Sequence, residues 1–378
     1  MRFGLPNEYR IMQERKDKMN FKDPMPIISF IVPAYNAELT LNKCIESIVY
    51  QEISGCEKEI IVINNNSSDK TNEIALSFPD VKLLFLEKKS RSRARQLGIS
   101  TSKGDFIAFV DSDVVLDKAW TQTLFSGLKK YPQVGATQGS IIPVISSTWH
   151  WIRWHRSRVR TFGTFIHLSA LVSGSIPVIN TAASLWRRRA LGDGFDLSLE
   201  RAEDIDLTYS VINKGYALFG TSKASATVEW STGIYSWFKR FYEQGKFEKV
   251  VYAKWGVENK SIKVGNIFGH PLWNSLPLYA QISDLITISL FKLGTMVTNE
   301  VVTAAPSISE ESIQSLFKTF KNDLFFLTTN CRAIFIENKI GIFNLKSKRC
   351  IWVSDDESEW PIHLTSTLIK DGFIIKRD

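Results

Sequence analysis

The feature that most constrains this chain is a strict alternation of short apolar runs with helical ones between residues 27 and 111. "IISFIVPAY" (27–35) is a continuous apolar run, and "KEIIVINN" (58–65), "VKLLFLE" (81–87) and "DFIAFVD" (105–111) read as the second, third and fourth strands. Runs of that kind are expected of strands buried on both faces. Between them lie helical stretches. Leu41, Ile45, Ile48 and Val49 recur at helical spacing within 37–51, a capped helix is expected in "SSDKTNEIALSF", and a short one over 92–101. Alternation of this kind predicts an α/β fold: a Rossmann-like, mostly parallel sheet with helices on both faces. Such sheets bind ligands outside the carboxyl ends of their strands. The polar loops "PAYNAE", "NNNSSD", "EKKSRSR" and "DSD" therefore open on one crevice.

The last of these loops raises a chemical question. Asp111 and Asp113 end a buried strand with Ser112 between them. If the chain stays extended there, residues two apart point to the same side. Two carboxylates that close repel each other unless a cation lies between them. Oxygen donors suit a hard ion, Mg²⁺ or Mn²⁺, which keeps waters and takes phosphate oxygens. The bland alternative is a pair of solvated acids in a turn.

Two further clusters bear on the crevice. "EKKSRSRAR" (87–95) places five basic residues before and into a helix start, where free N–H groups already favour anions. An arginine there can clamp a diphosphate bidentately, or the cluster can be a solvated basic face. In "RAEDIDLTYSVINKGY" (201–216), Glu203, Asp204 and Asp206 crowd the first turn of a helix that Gly215 closes. They either complement the helix dipole or include a general base for an acceptor hydroxyl.

Composition narrows the class less than these motifs do. The chain has 378 residues, 44% hydrophobic and 23% charged, with a formal net charge of +8. That charge suits nucleic acid, an anionic membrane or a phosphorylated substrate without choosing among them. Cys44, Cys56, Cys331 and Cys350 form no CxxC pair, so neither a zinc site nor a disulfide framework is expected. No apolar signal segment opens the chain and no uncharged window is long enough to span a bilayer; 276–297, with Asp284 and Lys292, reads as an amphipathic helix instead.

With these residues in view, the sequence resembles the family-2 glycosyltransferases, which have the GT-A fold. The resemblance runs from about residue 27 to 256 and rests on ordered motifs: "VPAYNAELTLNKCIESI", "IIVINNNSSDKT", "RARQLGISTSKGDFIAFVDSDV", "GDGFD" and "AEDIDLTYSVINKGY". It implies a transferase, inverting and metal-dependent, that moves a sugar from a nucleoside-diphosphate sugar, a UDP-sugar in preference, to an acceptor. It further implies a donor site of Pro33, Ala34, Tyr35, Asn64, Arg95, Asp111 and Ser112, with Arg95 near the diphosphate. Asp113 and Asp111 would hold Mn²⁺ or Mg²⁺, and Asp204, beside Glu203, would be the catalytic base. Asn64 stands where the family commonly has an aspartate that recognises the base. Glu229 in "TVEWS" stands near the position of a metal-contacting histidine, as a substitute ligand or an exposed strand-end acid.

Four segments are expected: an N-terminal lead-in over 1–26, a GT-A glycosyltransferase domain over 27–256, an amphipathic helical region and linker over 257–310, and a small C-terminal α+β module over 311–378. The acceptor side is expected in "TWHWIRWHRSRVRTF" (148–162), where Trp151, Arg153, Trp154 and Arg156 suit a glycan, peptide, protein or lipid-phosphate acceptor. The expected location is the cytoplasm, including peripheral contact with the inner face of the membrane. A non-catalytic nucleotide-sugar-binding protein is the alternative. A basic nucleic-acid-binding protein would leave the ordered acidic motifs unexplained.

Overall fold

In a computed structural model of the protein, the described residues are 25–132, 134–144, 178–229 and 234–255, with isolated helical residues between 286 and 296 and the backbone of five C-terminal strands. Residues 1–24 of the lead-in, the Trp/Arg segment at 148–162 and residues 297–310 of the linker region lie outside them.

The first half is built as the apolar pattern dictates. Strands β1 (Ile27–Ala34), β2 (Glu57–Asn64), β3 (Val81–Phe85) and β4 (Phe106–Val110) run parallel in the order β4-β1-β2-β3. Alternate residues of β1 serve two cores. Ile28, Phe30 and Val32 pack on one face, and Ile31 on the other. Helix α1 (Leu41–Val49) buries Leu41, Cys44, Ile45 and Ile48 against the first face. Helix α2 (Thr71–Leu76) leads into β3, and α3 (Arg91–Thr101) covers the second face. Gly98 lets α3 approach β1 closely, since a Cβ there would lie 2.4 Å from Ile31 Cγ2.

Beyond β4 the sheet becomes mixed. After β5 (Val114–Leu116), α4 (Trp120–Lys130) and β6 (Val134–Pro143), strand β7 (Ala183–Arg187) runs antiparallel to both β4 and β6. The short helix α5 (Arg188–Leu191), then α6 (Glu203–Asn213), β8 (Ala217–Val228) and α7 (Ile234–Lys254) complete the main body. Strand β8 pairs parallel with β6, and its last residues take β5 antiparallel. The alternation is thus parallel only through β4. The rest of the sheet is crossed by reversals that apolar runs alone do not encode.

At the C-terminus, β9 (Phe325–Leu327) pairs with β13 (Ile374–Lys376). Strands β10 (Cys331–Ile336), β11 (Lys339–Asn344) and β12 (Arg349–Ser354) form an antiparallel set. They also continue the main sheet: Ile334, Phe335 and Ile336 pair with Leu218, Phe219 and Gly220 of β8. The result is an eleven-stranded sheet in which the tail covers the outer edge of β8. Covering an edge removes unpaired backbone groups that would otherwise template association.

Candidate active site

The crevice edge is assembled by loops that hydrogen-bond to one another. Ala34 O accepts from Asn65 N at the ends of β1 and β2 (2.8 Å). Asn36, with a left-handed φ of 46°, accepts from Ser68 N at Oδ1 (2.9 Å), and its own N–H donates to Ser67 Oγ (3.0 Å). Asn65 Oδ1 accepts from Ser90 N (2.8 Å), which ties in the third loop. Ser90 caps α3 by accepting from Arg93 N (3.3 Å). Three of the four expected loops are therefore one connected unit.

Within it, Pro33 is half-buried and Ala34 buried, while Tyr35 is exposed with Lys89 Nζ 3.2 Å from its ring centroid. Asn64 is buried, and both ends of its amide are engaged locally. Its Oδ1 accepts from Ser67 N (2.7 Å) and its Nδ2 donates to Asn72 Oδ1. The residue shapes the loop as well as lying at the expected base end of the site. Asn64→Ala is expected to lower stability by about 1 kcal/mol, because it leaves two half-buried polar partners, Ser67 N and Asn72 Oδ1, unpaired. Urea unfolding of the two proteins measures this.

The two aspartates come together by a different route from strand alternation. Strand β4 ends at Val110, Asp111 N donates to Ala182 O (2.8 Å), and Val114 N donates back to Asp111 O (3.0 Å). Asp111, Ser112 and Asp113 thus occupy a tight turn between β4 and β5, not an extended run, and all three are half-buried. The acids still act on each other. Burial first, and the charge of Asp111 second, push the Asp113 carboxyl up to about 6, against the pull of Arg240 and Arg91. Beneath the turn, Cys44 Sγ lies 3.5 Å from Asp111 O.

This donor set fits a hard divalent cation. Two crowded carboxylates at a strand end repel each other, and although Arg95 pairs with one of them, the Asp113 carboxyl stays raised, a repulsion that such an ion would relieve. Among the described residues no group of three or more His, Cys, Asp or Glu is arranged to hold a metal ion. The protein would contribute only part of a coordination shell, as Mg²⁺ and Mn²⁺ sites that share substrate phosphates do. Glu229 sits beside the turn: its N–H donates to Asp113 O (2.9 Å), and its carboxylate pairs with exposed Lys43 of α1 (2.8 Å).

The acidic helix start differs most from its bland reading. Ala202, just before α6, has a left-handed φ of 61°, a conformation that costs a non-glycine residue about 1–3 kcal/mol and clusters at functional sites. Glu203 is buried, and its carboxylate is spent on Arg95: Oε1 lies 2.7 Å from Nη1. The other arm of the same guanidinium, Nη2, lies 2.7 Å from Asp111 Oδ1. Arg95 is only 3% exposed, and the two carboxylates hold it protonated against the cost of burial. It therefore lies under the crevice, with both Nη groups committed to protein carboxylates.

Asp204 follows directly. It is half-buried, and its Oδ1 accepts from Ile205 N (2.9 Å). Burial first, and the charge of Glu203 second, push its carboxyl up to about 7, against the pull of Arg95. Asp206 is structural: it accepts from Trp255 Nε1 (2.7 Å) and pairs with Lys254 (2.8 Å). Lys254 also holds Asp196 (2.8 Å), and Arg201 pairs with Glu243, so α7 is fastened to α6 and to the loop before it.

Two cations on this edge were not singled out from the sequence. Arg91 opens α3 and Arg240 lies on α7; both are exposed, and both lie within electrostatic reach of Asp113. Arg91 belonged to the basic cluster already noticed. Arg240 sits in a helix whose pattern signals only amphipathic packing. The expected acceptor residues Trp151, Arg153, Trp154 and Arg156 lie outside the described residues.

Residues 29–195 match the family described as glycosyl transferase family 2. The chain is similar to the probable glycosyltransferase YdaM of Bacillus subtilis, 27% identical over 226 residues, covering 53% of this chain and 50% of that protein. It is also similar to glycosyltransferase GlyA of Streptococcus pneumoniae, 34% identical over 108 residues, covering 28% of this chain and 15% of that protein. The chain thus spans half or less of the length of these relatives. A solved structure with the same fold is the mannosyltransferase PcManGT from Pyrobaculum calidifontis in complex with GDP-Man and Mn²⁺. Its TM-score is 0.52 at 14% identity, over 78% of this chain and 95% of that one.

Proposed function

We propose that the chain, whose residues 29–195 match glycosyl transferase family 2, transfers a sugar, with inversion, from a nucleoside-diphosphate sugar to an acceptor hydroxyl. The observation that carries this reading is Asp204. A half-buried carboxyl pushed up to about 7 is matched to general-base work near neutral pH. It also lies one residue from Glu203, which Arg95 ties to the Asp111 turn.

In this mechanism the donor lies along the loops after β1, β2 and β4, with its base toward Asn64 and Tyr35. Asp204, with Oδ1 held by Ile205 N, takes the acceptor's proton as the acceptor oxygen attacks the anomeric carbon. Attack comes from the face opposite the diphosphate, so the bond to the phosphate oxygen breaks as the new one forms and the configuration inverts. The electron pair leaves on the nucleoside diphosphate, where exposed Arg91 and Arg240 offset its charge. A divalent cation held by Asp111 and Asp113, with Glu229 as a further ligand once released from Lys43, would supply charge neutralisation at the diphosphate. The test is a screen of UDP- and GDP-sugars for nucleotide release, with the anomeric configuration of the product read by NMR. A product that retains the donor configuration would rule out the single displacement.

We further propose peripheral contact with an anionic membrane. Among the described residues no helix is long and apolar enough to cross a membrane. Ile286, Leu293 and Met296, helical residues on one side of the expected amphipathic helix, are 43%, 51% and 77% exposed. An apolar stripe combined with net positive charge suits an interfacial helix. Co-sedimentation with phosphatidylglycerol vesicles at low salt is expected, and Leu293→Glu should weaken it. Equal recovery in the supernatant with and without vesicles would contradict this.

A further inference from the structure

We propose that Arg95 is a positioning residue that couples the metal-binding turn to the catalytic base, and does not itself bind the donor diphosphate. The inference rests on the transferase reading above. Its evidence is the double ion pair. One guanidinium, 3% exposed, reaches Asp111 of the β4–β5 turn with Nη2 and Glu203 of the α6 start with Nη1, each at 2.7 Å. The two partners come from distant parts of the chain, 16 and 108 residues from Arg95.

Each contact fixes something specific. Asp111 keeps a side chain 34% exposed, so Arg95 holds Oδ1 while the carboxylate still opens toward the crevice. Glu203 is 7% exposed, so its carboxylate serves only the protein interior. Asp204 is the next residue, at a helix start that follows the left-handed Ala202 and has no side-chain cap. The direction of the base is therefore set by how Glu203 is anchored. The planar fork of arginine serves both carboxylates at once, which the point charge of lysine cannot do. Partners that orient ligands and bases in this way typically change metal affinity or activity by about 10–100-fold when altered. A diphosphate ligand would instead need an N–H open to the crevice: both Nη groups are paired with carboxylates, and Nε, which has no partner among the described residues, is buried.

The experiment compares the full chain with Arg95→Lys, Glu203→Gln and the double variant. It measures Mn²⁺ affinity at saturating UDP by electron paramagnetic resonance, UDP affinity without metal by calorimetry, and kcat and KM. Arg95→Lys is expected to lower Mn²⁺ affinity and kcat each by about 10–100-fold and to leave metal-free UDP binding unchanged. Glu203→Gln keeps an oxygen beside Arg95 but weakens the more buried of its two ion pairs, so its kinetics are compared with wild type below its own melting temperature. It should lower kcat alone, and the kcat losses of the two changes should fail to multiply, as for groups in one network. Arg95→Lys that weakens metal-free UDP binding while sparing Mn²⁺ affinity would make Arg95 a donor ligand and overturn the proposal. So would Glu203→Gln with an unaltered kcat, a result that stands even if Arg95→Lys does not fold. Wild-type protein that binds neither UDP nor Mn²⁺ would overturn the transferase reading and this inference with it. Wild type that binds both, with Arg95→Lys indistinguishable from it, would overturn this inference alone.

Discussion

Asp204→Asn is expected to lower kcat by about 100- to 10,000-fold, the range that a positioned general base supplies, while donor binding survives. The amide keeps the shape of the side chain and its bond to Ile205 N, but it cannot take a proton. The ordinary range of an aspartate would leave the base ionised at any physiological pH. Here burial and the neighbouring Glu203 push the carboxyl up to about 7. Since the base must be ionised, kcat/KM should rise with pH through about 7 and flatten above it. The same shift has the opposite sign for stability. A carboxyl raised in the folded state binds its proton more tightly there than in the unfolded chain. Its stabilising contribution is present at low pH and is lost as pH rises toward about 7. Asp204→Asn removes that loss, so the variant should melt higher than the wild type at pH 8 while being nearly inactive. A variant with unchanged kcat would remove Asp204 from the mechanism.

The second large effect is expected at the turn. Asp113→Asn should abolish the gain in nucleotide affinity that Mn²⁺ confers and lower kcat by more than about 100-fold, as loss of a preorganised electrostatic contact does. The backbone should be unaffected, because Asp113 O still accepts from Glu229 N and Asp111 still anchors the turn through Ala182 and Val114. Asp111→Asn is predicted to differ from it. That change also weakens the ion pair with buried Arg95, so it should lower the melting temperature where Asp113→Asn does not. Equal losses of stability in the two variants, measured by calorimetry, would argue against distinct roles for the two acids.

How much of this was legible in advance depends on how local each feature is. The strands β1, β2 and β4 were readable because each has an apolar run, such as Phe30–Val32 or Ile60–Ile63, that only burial on both faces tolerates, whereas β3, with Lys82 and Phe85 exposed, is an edge strand. The loops at their carboxyl ends follow from that topology, and so does the placing of Asp111 and Asp113 at the crevice. The turn geometry did not follow, because strand alternation and a tight turn both leave the two acids close together. Beyond β4, the antiparallel placement of β7 depends on pairing with β4 and β6, which the composition of "ASLWR" cannot specify. The docking of β10 on β8 is likewise a long-range pairing.

The acidic helix start shows the limit most clearly. Glu203, Asp204 and Asp206 look alike in sequence, as three acids in a first turn. The structure separates them by what they touch. Glu203 is spent on Arg95, Asp206 on Lys254 and Trp255, and Asp204 is left with a raised carboxyl. Partners 108 and 49 residues away make that distinction. Arg95 illustrates the same limit: the basic cluster suggested an anion site, and only burial shows that this member of it faces inward.

The central claim is that this crevice binds a nucleoside diphosphate together with a divalent cation held by the Asp111–Asp113 turn. Calorimetric titration of the full chain with UDP and with GDP, each with and without Mn²⁺, tests it most directly. The account predicts that UDP binds and that Mn²⁺ strengthens the binding. Absence of binding by either nucleotide, with or without the metal, would contradict it.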